Sequence, residues 1–238
     1  MEPTEHNRRA WDEVHRRRAH VLADRLGIPV PIRERLPDLK GKHVLHLQCA
    51  TGESTAELAA LGALVTGVDV SAEAIALAHE RAPTAAFVQA DVHALPLHLH
   101  RGRFDLVYTG GGILHWLHDL RAWGHGIAAA LKPSGEVLLY DTHPVAACVD
   151  AFGHWREDYF NEEEIVDVGW KHFDLPGAPA SEEKHERHWR LGQVVTAIAE
   201  AGLVVRSVEE FPTIYEQFWR KRDARVPGEF VLIAVKPR

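Results

Sequence analysis

VLHLQCATGEST, residues 44–55, is the stretch on which the reading of the chain turns. Val44, Leu45 and Leu47 give a short apolar run, Gln48 to Gly52 a turn, and Glu53 onward a helical start. A strand running through a tight turn into a helix opens a strand–helix–strand crossover unit. The same rhythm repeats outward from it. ALVTGVDV (63–70), AAFVQAD (85–91), FDLVYTG (104–110) and EVLLYDT (136–142) read as strands, while ESTAELAALG (53–62), AEAIALAHERA (72–82) and LHDLRAWGHGIAAALKP (117–133) read as helices. Strands alternating with helices of about 10–15 residues predict an α/β chain with a doubly wound, mostly parallel sheet covered on both faces.

Beyond residue 143 the rhythm breaks. Residues 144–185 are rich in aromatic, acidic and histidine residues and contain the turn signal LPGAPAS. They are expected to form a small cap. A helix, WRLGQVVTAIAEAGL (189–203), then precedes two late strands, VVRSVEEF (204–211) and EFVLIAVKP (229–237), separated by an irregular aromatic stretch. That spacing predicts an antiparallel strand closing one edge of a seven-stranded sheet. Ahead of the core, residues 5–26 read as an amphipathic helix with Trp11, Val14, Ala19, Leu22 and Leu26 on its apolar side, stopped by Gly27-Ile28-Pro29. The expected organisation is an N-terminal arm (1–40), a core (41–143 and 186–238) and a cap insertion (144–185).

Bulk properties narrow the function. The chain has 238 residues, 46% of them hydrophobic, and a formal net charge of −7. That suits one globular domain and argues against a general nucleic-acid binder. With only Cys49 and Cys148 there is no disulfide framework or cysteine-rich zinc site. The N-terminal stretch lacks the apolar core of a signal peptide and no apolar run is long enough to span a bilayer, so a cytoplasmic protein without membrane partners is expected. The 17 histidines fit a compositional bias that also enriches Ala and Arg.

In an open parallel sheet the ligand lies beyond the carboxyl ends of the strands. The loops there are Gln48-Cys49-Ala50-Thr51-Gly52, Asp69-Val70, Asp91-Val92 and Thr109-Gly110-Gly111. Asp69 follows Gly52 at about the interval at which such folds place a carboxylate on ribose hydroxyls, and Asp91 stands where an adenine amino group is met. The alternative is that both aspartates cap the helices that follow; Ser71 already offers a cap after Asp69. A dinucleotide needs close backbone approach to its pyrophosphate, hence repeated glycine, and QCATGES has one. S-adenosylmethionine carries adenosine and an amino-acid end but no phosphate, and tolerates bulkier turn residues.

These motifs resemble those of class I S-adenosylmethionine-dependent methyltransferases. The usual first motif of that family has aspartate at the position of His46 and glycine at those of Gln48 and Ala50, so LHLQCATG is a variant of it. GVDVS, FVQADVHALP, FDLVYTGGGILHWL and LKPSGEVLLYDTHP extend the similarity over roughly residues 40–145. The resemblance implies a Rossmann-like methyltransferase fold, S-adenosylmethionine as cofactor and an N-terminal arm folding over it, with Trp11 as cover. Gln48 is expected to close off the backbone conformation that glycine takes freely, turning its amide toward the methionine end instead.

The resemblance also places two histidines beside the acceptor, His115 after the fourth strand and His143 after the fifth. Either suits a general base, because imidazole titrates near neutral pH; the alternative is that both simply line the pocket. A metal site of His115, His143 and an aspartate lacks diagnostic spacing, and no metal is expected. His118, Trp116, Trp155, Tyr159, Phe160, Trp170, Tyr215 and Trp219 are candidate substrate contacts, with Phe152, Phe173 and Phe218 near them. Large aromatics among polar groups suit an apolar or aromatic small molecule. The expected activity is methyl transfer to O, N or C of such a molecule, as in secondary metabolism, by a monomer or homodimer. A non-methylating relative, or an RNA or protein methyltransferase, is the alternative.

Overall fold

A computed structural model describes residues 2–18, 27–150, 152–170, 175–212 and 225–238. Seven strands form the main sheet: β1 (His43–Leu47), β2 (Leu64–Asp69), β3 (Ala86–Gln89), β4 (Phe104–Gly110), β5 (Leu131–Thr142), β8 (Val204–Phe211) and β9 (Glu229–Val235), in the order β3-β2-β1-β4-β5-β9-β8. β1 to β5 run parallel, with Val44 opposite both Val65 and Leu106. β9 is antiparallel to β5 and β8, so the expected antiparallel element is present, inserted one strand in from the edge. Strand order reverses between β1 and β4, which locates the switch point.

Side-chain alternation divides the core. Leu45, Leu47, Val107, Val137, Leu139, Phe230 and Leu232 face α5 (Leu120–Ala130) and α7 (Leu191–Glu200), where Trp123, Ile127, Val194 and Ile198 are buried. Val44, Leu106, Tyr108, Leu138, Tyr140 and Val231 face the other way, toward Leu58 of α3 (Glu53–Ala60) and Ile32 of the short α2 (Val30–Arg33). Strands buried on both faces read as continuous apolar runs, which is why EFVLIAV shows no polar alternation. α4 (Ala72–Arg81) starts at Ser71, whose hydroxyl accepts from the Ala74 amide at 3.1 Å.

Two expectations change and a third gains detail. α5 ends at Ala130 rather than at Pro133, because proline disfavours helical backbone in the residue before it. The chain pairs already at Leu131 with Phe104, then bulges until Glu136 meets Leu106. Residues 144–185, for which no elements were read from the sequence, contain regular structure: α6 (Pro144–Cys148) follows β5, and β6 (Glu164–Val168) pairs antiparallel with β7 (Glu183–Arg187). Finally, Gln48 does adopt the left-handed conformation, at φ 53°, as does Ala50 at φ 45°. The turn is over-determined by bonds from the Cys49 amide to Val68 O (3.0 Å) and from the Ala50 amide to Asp69 (2.8 Å).

α1 (Pro3–Arg18) lies across the carboxyl end of the sheet, against α4 and β7. Ala10 and Val14 bury apolar surface there. Buried Asp12 accepts from the Ser71 hydroxyl at 2.7 Å and pairs with Arg8 at 2.6 Å. Ala19, Leu22 and Leu26, expected to continue this helix, lie outside the described residues.

Candidate active site

The loop ends gather where topology requires. Gly52 sits at φ 85°, and a Cβ there would come within 3.0 Å of Ala78. Glycine is needed at this position for both conformation and close packing against α4. Thr51, at the same turn, is buried, and Arg81 reaches its carbonyl at 2.9 Å while pairing with Glu53. Cys49 is buried, and burial pushes its thiol well above the usual range, so it is an inert packing group rather than a nucleophile.

Asp69, at the tip of β2, accepts from the Ala50 amide through Oδ2 (2.8 Å) and from the Ser71 amide through Oδ1 (2.9 Å). Burial pushes its carboxyl up, and the backbone bonds oppose that. The Val70 amide adds a third backbone bond to this carboxylate. Val70, next in the chain, accepts from the Gln89 side chain at 3.1 Å. Asp91 caps a short 3-10 turn that begins at buried Val92, and it holds the His93 ring at 2.7 Å. Burial pushes its carboxyl up, but His93 outweighs this and the net direction is down.

After β4, Thr109 is fully buried and donates to Gln48 Oε1 at 3.5 Å; the Gln48 amide donates to Ile113 O at 3.2 Å. Gln48 thus ties the first loop to the fourth. A Cβ on Gly110 would stand 2.3 Å from Tyr140 O, and Gly111 takes φ 88°. Asp141, 2% exposed at the end of β5, accepts from the amides of Gly112, Ile113 and Leu114 at 2.7–2.8 Å. It fixes the loop that carries His115. The reading of the sequence passed over Asp141, although an acid at a strand tip was the signal used for Asp69.

His115 and Trp116 occupy the 3-10 turn after that loop, with ring centroids 4.6 Å apart. Burial holds the His115 ring below its ordinary pKa; Glu186 and Asp141 pull the other way, and Lys184 adds to the depression. Trp116 meets Trp11 of α1 at 5.2 Å and Trp170 at 5.7 Å, and Trp11 meets Trp170 at 4.7 Å. Three distant segments therefore bring their indoles together. Lys184, 5% exposed, pairs with Glu186 and sits 6.0 Å from the Trp170 ring. This pair also went unnoticed in the sequence.

His143 lies elsewhere. Its Nδ1 accepts from the Val145 amide at 3.2 Å as the cap of α6, and its Nε2 faces Glu210 at 3.0 Å. Burial lowers its pKa against the pull of Glu210. It lines a cavity of about 450 Å³ with Trp155, Tyr159 and Phe160; Trp155 and Phe160 are 61% and 67% exposed. His118 binds the Asn7 amide at 3.1 Å through Nε2. Phe173, Tyr215, Phe218 and Trp219 lie outside the described residues.

Residues 44–135 match the family model described as a methyltransferase domain. Over these residues, which run from β1 to the start of β5, the chain is similar to methyltransferase domains. An uncharacterized methyltransferase of Synechocystis is 38% identical over 46% of this chain and 51% of that protein. A trans-aconitate 2-methyltransferase of Paracidovorax citrulli is 39% identical over 52% of this chain and 50% of its own length. The chain spans about half the length of the curated relatives it matches. Among solved structures, a Listeria monocytogenes protein described as an S-adenosylmethionine-dependent methyltransferase superposes with TM-score 0.66 at 21% identity, covering 87% of this chain and 97% of that one. The [4+2]-cyclase SpnF superposes with TM-score 0.60 at 17% identity, over 87% of this chain and 79% of its own. At such identities these superpositions show a shared fold and nothing more. Among the described residues no helix is long and apolar enough to cross a membrane.

Proposed function

We propose that the protein transfers a methyl group from S-adenosylmethionine to an oxygen of a small-molecule acceptor, a tailoring reaction of the kind found in secondary metabolism. The observation that carries this reading is the convergence of Trp11, Trp116 and Trp170 beside His115: an aromatic enclosure built from three segments suits a small ligand. The cofactor fits the opposite wall. Asp69, fixed by the backbone amides around it, accepts from the ribose hydroxyls. Asp91 and Val92 flank the adenine, and the turn from Gln48 to Gly52, with Thr109, Gly110 and Gly111, holds the methionine end. When bound, S-adenosylmethionine supplies an electrophilic methyl group.

The chain's own groups do the rest. Trp11 keeps water from the site. His115, neutral because burial disfavours its charged form, accepts the proton of a hydroxyl acceptor. Buried Lys184 offers a positive end to an acceptor that also carries a carboxylate, in keeping with a relative named for trans-aconitate. His143 and the aromatic residues at the neighbouring cavity, Trp155, Tyr159 and Phe160, extend the acceptor channel. The arm (1–40), core and cap (144–185) divide the labour between covering the cofactor, binding it and selecting the acceptor. A cytoplasmic setting without nucleic-acid or membrane partners completes the proposal.

The test is incubation with methyl-labelled cofactor and a panel of small hydroxy and carboxylic acids, followed by mass analysis. Label should appear on an acceptor oxygen. A second reading, a reaction without methyl loss, is favoured by the shared fold of a cyclase; label that stays on the cofactor while an acceptor is consumed would replace the first reading by the second.

A further inference from the structure

Where α1 packs on β7, three potential ligands meet that no part of the methyl-transfer reading uses. His6 in the first turns of α1, and Glu183 and His185 of β7, each present one donor atom, and the three atoms lie within 4.8 Å of one another. His6 Nδ1 and Glu183 Oε2 are 3.4 Å apart. Bonds of about 2.0–2.2 Å from a tetrahedral zinc place neighbouring ligand atoms roughly 3.4 Å apart, so this edge is already at the required length. The two imidazoles lie close together, tilted by 31° with ring centroids 4.5 Å apart.

Two further observations distinguish the cluster from a chance meeting of surface side chains. The ring nitrogens of His185 are out of solvent, although the residue as a whole is only partly buried, and Nε2 has no hydrogen-bond partner among the described residues. A ring nitrogen shielded from water without a hydrogen bond is satisfied by a metal bond. One of its nitrogens, Nδ1, faces the Glu164 carboxylate at 3.2 Å. That is the outer carboxylate which ordinarily orients a metal-bound histidine and raises its basicity. The position is also prebuilt. Asn7, adjacent to His6, accepts from the His185 amide and donates to its carbonyl, both at 2.7 Å. The backbone that carries one ligand therefore fixes the backbone that carries another.

We propose that His6, Glu183 and His185 form a site for a divalent transition metal, zinc being the best match to two imidazoles and a carboxylate, with water as the fourth ligand. The ion clasps the N-terminal arm to the β6–β7 hairpin. Both of those segments contribute a tryptophan or an ion pair to the acceptor enclosure, so metal occupancy governs how firmly the enclosure is closed.

The experiment is titration of the metal-free full chain with Zn²⁺ by calorimetry, and with Co²⁺ by visible absorption, in the absence of cofactor. One ion per chain is expected, with the intense visible bands of low-coordinate cobalt. His6→Ala and Glu183→Gln, both at positions that are not fully buried and therefore safe for folding, should each weaken binding at least tenfold. Glu164→Gln should weaken it about tenfold through loss of the orienting carboxylate. His125→Ala, on the exposed face of α5, should leave it unchanged. Binding by the parent protein no tighter than by the His6→Ala/Glu183→Gln double variant overturns the site, whatever the outcome of the methylation assay.

Discussion

The two walls of the proposed site, one for the cofactor and one for the acceptor, are built in different ways. The cofactor wall is made of backbone: strand ends, amides and the carboxylates that accept from them, with Asp69 held by Ala50 and Ser71 and Asp141 by Gly112, Ile113 and Leu114. The acceptor wall is made of side chains delivered by α1, the loop after β4 and the cap hairpin. Strand ends are fixed by the ladder of the sheet and move only with it. An enclosure assembled from three distant segments depends on how those segments dock. The difference suggests that damage to the acceptor wall should change rate with little effect on cofactor affinity, and damage to the cofactor wall the reverse.

The largest effect tests the acceptor wall. His115→Ala should lower kcat by on the order of 10²–10⁴-fold for a hydroxyl acceptor, the usual contribution of a positioned base. The dissociation constant for S-adenosylhomocysteine should stay within about twofold. A shifted cofactor constant with an unchanged kcat would assign His115 to the other wall.

Next comes acid sensitivity of the sheet beneath the cofactor wall. His46 is buried, bonded through Nδ1 to the Thr55 hydroxyl at 2.7 Å, and burial lowers its pKa to about 3. Above the unfolded value near 6.5 the ring is neutral in both states. As pH falls from there toward 3, the unfolded chain takes up a proton that the folded chain refuses. Stability then drops by about 1.4 kcal/mol per pH unit and levels off below the folded value. Between pH 6.5 and pH 5 that is roughly 2 kcal/mol. Urea unfolding of the parent and of His46→Asn at both pH values measures it; parallel losses in the two proteins would show that His46 is not the titrating group.

The cofactor wall itself is probed by Asp69→Ala. Loss of a charge-assisted pair of hydrogen bonds to ribose should weaken S-adenosylhomocysteine binding by about 1–3 kcal/mol. Calorimetry reads this directly, and undiminished heat and affinity would remove Asp69 from the cofactor. Replacement by asparagine should recover part of the loss, because the Ala50 amide would still find an acceptor.

The contrast between the walls also explains what the sequence disclosed. Apolar runs alternating with helical stretches were enough for the sheet, since burial on both faces leaves strands such as FDLVYTG unmistakably apolar. Asp69, Asp91 and Thr109 could be located because a strand end is a position in the sequence as well as in space. The β6–β7 hairpin was not legible. EIVDV and EKHER are half exposed, lack a clean two-residue alternation and pair across fourteen intervening residues. With that hairpin went Lys184, Glu186 and the His6–His185 contact, all of which exist only once β7 docks on α1. Asp141 bears the same mark as Asp69, an acid at a strand tip, but its task of fixing the loop after β4 through three amides shows only in the fold.

The smallest effect returns to the turn that opens the fold. Ala50 occupies φ 45°, a conformation costing an L-residue roughly 1–2 kcal/mol relative to glycine, while glycine adds about 0.5–1 kcal/mol of unfolded-chain entropy. The balance favours Ala50→Gly by about 0.5–1 kcal/mol, which for a domain of this size raises Tm by roughly 1–4 °C. Gln48→Gly has the same backbone argument but removes the side chain that bonds Ile113 O and Thr109, so its gain in the turn is offset by slack between the first and fourth loops. Thermal unfolding of the two variants separates these contributions: Ala50→Gly should rise and Gln48→Gly should stay level or fall. An equal rise in both would mean that the Gln48 bridge contributes nothing, and that the family's usual glycine is absent there without structural consequence.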